Sequence, residues 1–248
     1  MFPILFRIGS FAVYAYGVML AVAFATGAFG IAREGKKLGL PEEKLLDMTI
    51  WIMVASVFGS RLLYILIELP TYLANPLAIF NIRSGGLSFH GGLLAGIGAG
   101  LWYASRHQLP RGIVADVVAP YLALGYAIVR IGCLLNGCCY GRHSDLPWAL
   151  PSAYLDNDLR HPTQLYAFVA ALLIFFILLW RKKRTRFEGQ LFIEFLLYYS
   201  IYRFVIEFFR EVSSYIGFLT LGQAASVVGM IVTVVLIRVW PTERRSRS

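Results

Sequence analysis

The sequence predicts an all-α integral membrane protein with seven transmembrane helices. Its N-terminus is expected outside, its C-terminus in the cytoplasm, and a small external cap between helices four and five. Three observations carry this prediction. The chain of 248 residues is 58% hydrophobic and only 15% charged, with a mean hydropathy of +0.66. Its apolar runs reach the roughly 20 residues needed to cross about 30 Å of hydrocarbon. Its cations gather in alternate connecting segments.

The apolar runs fall at about 10–32, 46–69, 86–105, 114–135, 162–180, 189–209 and 217–240. The first is longer than the apolar stretch of a signal peptide and has neither a strongly basic lead nor a small-residue cleavage pattern, so it reads as a retained span. The second carries Arg61 in its later half. The third opens on the glycine-rich stretch Arg83-Ser84-Gly85-Gly86-Leu87-Ser88-Phe89-His90-Gly91-Gly92, and the fourth closes with Arg130 near its exit. Between the fourth and fifth, residues of about 136–161 are rich in Gly, Pro, Asn and Asp, which reads as an ordered loop or cap. The fifth opens at His161-Pro162 and the seventh at Gly222-Gln223. No internal repeat, low-complexity tract or soluble domain interrupts the series, so residues 1–248 are expected to form one domain.

The net charge of +9 would suggest nucleic acid in a soluble chain, but in a membrane protein it must be counted loop by loop. Most of the 23 cations, including Arg33, Lys36, Lys37, Lys44, Arg106, Arg111, the basic run 181–186, Arg238, Arg244, Arg245 and Arg247, fall in one set of segments. Arg7, Arg83, Arg142, Arg160 and Arg210 fall in the opposite set. The richer side is expected to be cytoplasmic, and no nucleic-acid partner is expected.

With this orientation, ionisable groups within the runs gather toward the outer end. A charge at a helix centre costs roughly 2.5–3.5 kcal/mol, so such a cluster points to a site. Arg61, His90, Arg130, Arg203 and the tyrosines near them would share one depth. In the sixth run Tyr199, Arg203, Glu207 and Arg210 are spaced by four, four and three residues, confining them to an arc of about 80° on a continuous helix. Taken singly, each could be structural, with Arg203 paired to Glu207 at i,i+4 and tyrosines in the interfacial belt. Jointly they hold more cations and hydroxyl donors than the single acid Glu207 balances, which leaves an anion to be supplied. A guanidinium offers phosphate a planar two-pronged fork, and a phospholipid headgroup is the nearest phosphate. Histidine changes charge near neutral pH, and His90 lies in a glycine-rich stretch that leaves room beside its ring, making it the natural proton acceptor.

Cys133, Cys138 and Cys139 cluster at the end of the fourth run. Their spacing fits no common zinc pattern, even with His143 added, so no metal site is expected. Adjacent cysteines bridge only with strain, which argues against a structural Cys138–Cys139 disulfide.

These motifs resemble those of the bacterial prolipoprotein diacylglyceryl transferase family along the whole chain. The family's Arg-x-Gly-Asn-Phe-x-Asn-Gly-Glu-x-x-Gly run is similar to Arg130-Ile131-Gly132-Cys133-Leu134-Leu135-Asn136-Gly137-Cys138-Cys139-Tyr140-Gly141. Tyr16-Gly17, Gly59-Ser60-Arg61, Ser88-Phe89-His90-Gly91-Gly92, His161-Pro162-Thr163-Gln164-Leu165-Tyr166 and the stretch from Tyr199 to Arg210 match further blocks. The chain departs from the family pattern with Val129 for Gly, Cys133 for Asn, Cys138 for Glu and Ala167 for an acid.

The resemblance implies transfer of diacylglyceryl from phosphatidylglycerol to the lipobox cysteine of a preprolipoprotein signal peptide, with release of glycerol 1-phosphate. It implies a multi-pass protein of the bacterial cytoplasmic membrane, its active site toward the outer face, among membrane lipids and with no cofactor. Carried onto this chain, the catalytic residues are His90, Arg130 and Arg203, and the substrate-binding residues are Tyr16, Arg61, Asn136, Gly141, Tyr199, Glu207 and Arg210. The rival readings are a nonenzymatic transporter or lipid-binding protein for anionic substrates, an outward-facing thiol or metal protein built on Cys133, Cys138 and Cys139, and a paralogue of the transferase with altered substrate.

Overall fold

A computed structural model describes residues 2–9, 11–80, 85–152, 158–211 and 215–239. Arg83 and Ser84, residues 153–157 of the cap, and Arg244, Arg245 and Arg247 lie outside the described residues. The helices are α1 (Ala15–Lys37), α2 (Glu42–Ile67), α3 (Leu69–Ala74), α4 (Phe89–Arg106), α5 (Arg111–Asn136), α6 (Thr163–Arg181), α7 (Gln190–Ile206) and α8 (Leu221–Val239). Among them α1, α2, α5, α6 and α8 are long and apolar enough to cross a membrane. The third and sixth apolar runs also form helices, but α4 dilutes its apolar residues with glycine and α7 has 17 residues. Many large apolar side chains point away from the protein, as Phe58 does at 72% exposure, which suits a hydrocarbon solvent.

Three short antiparallel pairs join these helices: β1 (Ile4–Ile8) with β2 (Phe11–Tyr14), β3 (Leu150–Pro151) with β4 (Leu159–Arg160), and β5 (Tyr215–Ile216) with β6 (Leu219–Thr220). The first pair takes up part of the expected first span, so α1 begins at Ala15. The bond from Ala15 N to Pro3 O, 2.9 Å, ties the hairpin to the start of the helix.

Contacts divide the chain into two compact units, Ile31–Val114 and Met1–Gly30 with Ala115–Ser248. In the first, α2 and α4 approach through small residues. A Cβ on Gly59 would collide with the Gly91 carbonyl and with Ala95, and one on Gly92 would strike Ser60. Without a hydrophobic drive between helices in lipid, such backbone proximity is how they gain dispersion energy. Beside this seam Arg61, 7% exposed, spends its guanidinium on backbone. Its Nη2 donates to Ala78 O (2.7 Å) and Ile79 O (3.1 Å), its Nε to Ile79 O (3.1 Å), and its Nη1 to Gly85 O (3.0 Å) and Gly86 O (3.1 Å). Gly85 and Gly86 have φ of +87° and +80°, a region glycine enters without steric cost. That turn holds the chain out of the helix until α4, later than the expected start at 86.

In the second unit, Ala123, Ile174, Leu178 and Leu191 form a core flanked by Phe175, Phe195, Tyr198 and Tyr202. The start of α7 is satisfied from α5: Asp116 accepts from Gly189 N (3.0 Å), Leu191 N (2.8 Å) and Phe192 N (3.3 Å). Arg181 grips Glu194 with two bonds, 3.0 and 2.6 Å, and Gln190 adds a third at 2.7 Å. These groups correct the expectation that buried ionisable residues collect at one end. Asp116 and Glu194 are each 5% exposed and lie at the opposite ends of α5 and α7 from Arg130 and Arg203. Unpaired N–H groups at a helix start draw negative partners, and burial forces those partners to be protein.

A second correction concerns the sixth run. After Ile206 the chain tightens into a 3-10 turn over Glu207–Phe209, and Arg210 is extended at φ −91°, ψ 147°. Arg210 thus leaves the helical stripe of Tyr199 and Arg203, and pairs with Gly141 in a short antiparallel bridge.

Two stability measurements follow. Gly59→Leu should destabilise the protein by about 1–3 kcal/mol through overpacking, read as a lower melting temperature in detergent. Asp116→Ala should cost about 1–3 kcal/mol by orphaning helix N–H groups. Asp116→Asn, which keeps an oxygen acceptor, should recover part of that loss. A melting curve unchanged in Asp116→Ala contradicts the capping role.

Candidate functional site

The last turns of α5 build one side of the site. Arg130 follows Tyr126 by four residues, so the two share a face, and Arg130 Nη2 donates to Tyr126 Oη at 2.5 Å. The guanidinium carbon lies 4.5 Å from the Tyr126 ring centroid, a cation–π distance. Tyr126 Oη in turn meets Tyr202 Oη at 3.0 Å. Tyr199 packs edge-on to Tyr126 with centroids 5.6 Å apart, and Tyr199 and Tyr202 lie 5.9 Å apart. Three rings therefore fix the guanidinium without neutralising it. Among the described residues no carboxylate forms an ion pair with Arg130, and its buried Nε has no partner.

Arg203, one turn beyond Tyr199, is held differently. Its Nη1 donates to Glu207 Oε2 at 2.5 Å. Glu207, 3% exposed, also accepts from Thr220 Oγ1 at 3.2 Å. Thr220 and Gln223 bond reciprocally at the start of α8, each backbone N–H donating at 3.1 Å to the other's side chain. This is a capping box, and it presents the Thr220 hydroxyl to Glu207. Tyr199 lies one turn before Arg203 on α7 and packs on Tyr126, the ring that holds Arg130.

Below α5 the chain turns through Gly137 (φ +75°) and Cys139 (φ +67°). Tyr16, on α1, interacts electrostatically with Arg130 and all three cysteines. Asn136 is half-buried at the end of α5. Gly141 lies where three segments cross: its N–H donates to His161 O at 2.9 Å, its carbonyl accepts from Arg160 Nη1 at 3.2 Å, and it bridges to Arg210. A Cβ there would strike the Phe209 carbonyl, so glycine is required by close approach.

The geometry thus gathers Tyr16, Arg130, Asn136, Gly141, Tyr199, Arg203, Glu207 and Arg210 within one unit. Arg61 and His90 belong to the other. His90 is exposed near the start of α4, its ring 5.7 Å from that of Phe89. Sequence reasoning missed Tyr126 and Tyr202, which hold Arg130, and Thr163 and Gln164, which pin the cysteine turn. The Tyr126-to-Arg130 spacing of four was the available signal. An apolar cavity of about 410 Å³ lies beside this cluster, lined chiefly by Trp148, His161, Tyr166, Tyr202, Ile206 and Phe209. Together these groups offer an anion two guanidinium surfaces and several hydroxyl donors next to an apolar chamber.

Similarity to known proteins agrees with this inventory. A family model described as prolipoprotein diacylglyceryl transferase matches residues 3–239. A protein of Polynucleobacter necessarius named phosphatidylglycerol–prolipoprotein diacylglyceryl transferase is 40% identical over 227 residues, covering 89% of this chain and 87% of its own length. Proteins of the same name from Vibrio cholerae and Geobacter sulfurreducens are 36% and 34% identical, covering 98% and 95% of this chain and 92% and 95% of their own.

The cap beside the site carries an acid–histidine pair. His143 Nδ1 lies 2.6 Å from Asp158 Oδ1 and its Nε2 3.3 Å from Asp145 Oδ1. Hydrogen bonding to Asp158 raises the imidazole above its usual value, and the same contact holds Asp158 below the ordinary carboxylate range. The contribution of His143 is therefore complete below about pH 6.5 and lost as pH rises through its raised value. That of Asp158 is present above about pH 3.9 and lost as pH falls through its lowered one. Amide protection at Ser144, which donates to Leu159 O at 3.0 Å, should weaken as pH rises from near 6 to about 9, once corrected for intrinsic exchange. His143→Gln should flatten that dependence.

Proposed function

Because the chain belongs to the prolipoprotein diacylglyceryl transferase family, we propose that it moves the diacylglyceryl group of phosphatidylglycerol onto the thiol of a prolipoprotein's lipobox cysteine. The observation that carries the reading is Arg130: a guanidinium oriented by Tyr126, without a carboxylate partner among the described residues, beside an apolar chamber.

Arg130 and Arg203 bind the phosphodiester of the lipid. The incoming thiol gives up its proton to His90, since the thiolate is the effective nucleophile. Its sulfur then bonds to the terminal glyceryl carbon of the diacylglyceryl group. The carbon–oxygen bond to phosphate breaks, and glycerol 1-phosphate leaves with the bonding electrons. The two arginines stabilise the charge growing on that leaving group, usually the largest catalytic contribution. Tyr16, Asn136, Tyr199 and Arg210 position the headgroup, Gly141 lets the cap approach, and Glu207 orients Arg203. Arg61 serves indirectly, by fixing the turn that leads to His90. The chamber lined by Tyr166 and Phe209 seats apolar substrate, an acyl chain or the leucine of a lipobox.

The wider setting follows the same reading. All seven apolar runs cross the bacterial cytoplasmic membrane as one domain, the N-terminus outside, with the site toward the outer leaflet where lipid and signal peptide arrive. The distribution of cations supports that orientation.

Arg130→Lys keeps the charge and loses the planar fork. Thioether formation on a lipobox peptide, with glycerol phosphate released from labelled phosphatidylglycerol, should fall by about 10²–10³ with the melting temperature retained. Wild-type turnover by Arg130→Lys removes that residue from the role. His90→Asn is expected to lose less, about 10²-fold, because charge stabilisation by the arginines survives it.

A further inference from the structure

We propose that Cys133, Cys138 and Cys139 form a three-thiolate site for a copper(I) ion. Their spacing in sequence fits no common metal pattern, yet the fold brings all three Sγ atoms within 4.8 Å of one another. The convergence is built by the backbone. Gly137 N bonds to Leu134 O at 3.2 Å and Cys138 N to Cys133 O at 3.1 Å, folding the chain back over the end of α5. Cys139 then adopts φ +67°, a conformation unfavourable for a residue with a Cβ.

Two side chains of α6 hold this turn in place. Thr163 Oγ1 donates to Cys139 O and Gln164 Nε2 to Cys138 O, each at 2.6 Å. Gln164 is 1% exposed, and its Oε1 has no partner among the described residues. These bonds fix the turn that brings the sulfurs together: Cys139 Sγ lies 3.6 Å from Cys138 Sγ, and Cys138 Sγ lies 3.7 Å from Cys133 O.

The donor set selects the ion. Three thiols are soft ligands, and the group of potential ligands stops at three among the described residues. Structural zinc takes four protein ligands, whereas soft thiolates also select copper(I), for which three sulfurs suffice. His143 is engaged instead with Asp158 and Asp145. Binding replaces three S–H bonds by three S–Cu bonds and releases three protons, with copper unchanged in oxidation state. The resulting anionic centre has its counter-charge at hand, since Arg130 Nη1 lies 3.9 Å from Cys133 Sγ. Burial grades from Cys133, buried, through Cys138 to Cys139, exposed, which gives an ion a path in.

The test is anaerobic titration of the full-length protein in detergent with copper(I), in competition with a copper(I) chelator, alongside a separate zinc(II) titration. One equivalent of copper should bind, with a thiolate-to-copper ultraviolet band and an X-ray absorption spectrum showing three Cu–S contacts. Cys133→Ser, Cys138→Ser and Cys139→Ser should each weaken binding by more than the roughly 10–100-fold that loss of an outer-shell partner costs. Cys139→Ala, at the exposed corner, provides a variant whose fold is little threatened. Copper binding no tighter than in the triple serine variant overturns the proposal. So does a two-sulfur complex indifferent to Cys139→Ala, or a tighter zinc(II) complex. The readout uses no turnover, so its outcome is independent of the transferase reading.

Discussion

A polar group carried into a stack of apolar helices must find its partner inside the protein, because hydrocarbon supplies none. Each unit meets that constraint with a different device. Arg61 directs its guanidinium at four backbone carbonyls, those of Ala78 and Ile79 and those of Gly85 and Gly86 before α4. Asp116 takes three N–H groups at the start of α7, and Glu194 is gripped by Arg181 and Gln190. Arg130 stands apart from these. It has a phenol and a ring face where the others have a full set of partners, and a half-buried cation so placed is a strong electrostatic element available to a ligand.

The ends of α5, α6 and α7 meet in the cap, and the cap governs what the arginines can reach. Gly141 N donates to His161 O, His161 N to Arg142 O and Arg142 N to Phe209 O, backbone bonds that cross between the three helical connections. The same crossing pulls Arg210 off the α7 helix and toward the cysteine turn. The 3-10 turn at Glu207 and the capping box at Thr220 complete the arrangement by delivering a buried carboxylate to Arg203 alone. The result is an asymmetric pair of cations, one neutralised and oriented, the other without a carboxylate partner among the described residues.

Membership of the transferase family gives this arrangement a reaction, and the cysteines give it a local character. The family signature it resembles has an acid where this chain has Cys138. A thiol at that position removes a competing anion near Arg130, leaving Glu207 as the carboxylate of the cluster. It also brings a third sulfur within reach of the other two.

Much of the molecule was readable in one dimension. Helices occupy all seven apolar runs because length and hydropathy act locally. Arg130, Tyr199, Arg203 and Glu207 stood out because charge in an apolar run is costly and helical spacing is regular. Asp116 and Glu194 were overlooked because a buried acid that caps another helix shows no pattern in its own segment. Arg210 was misplaced because the helix tightens just before it, under the pull of a bridge to Gly141. The cysteines looked unsuited to one another because spacing along a chain says nothing of a turn through positive φ, anchored by Thr163 and Gln164 from a helix 24 to 26 residues away. Local energetics, hydropathy and periodicity, are written residue by residue and can be read there. Convergence of side chains depends on bonds between distant segments, and those exist only once the chain has folded.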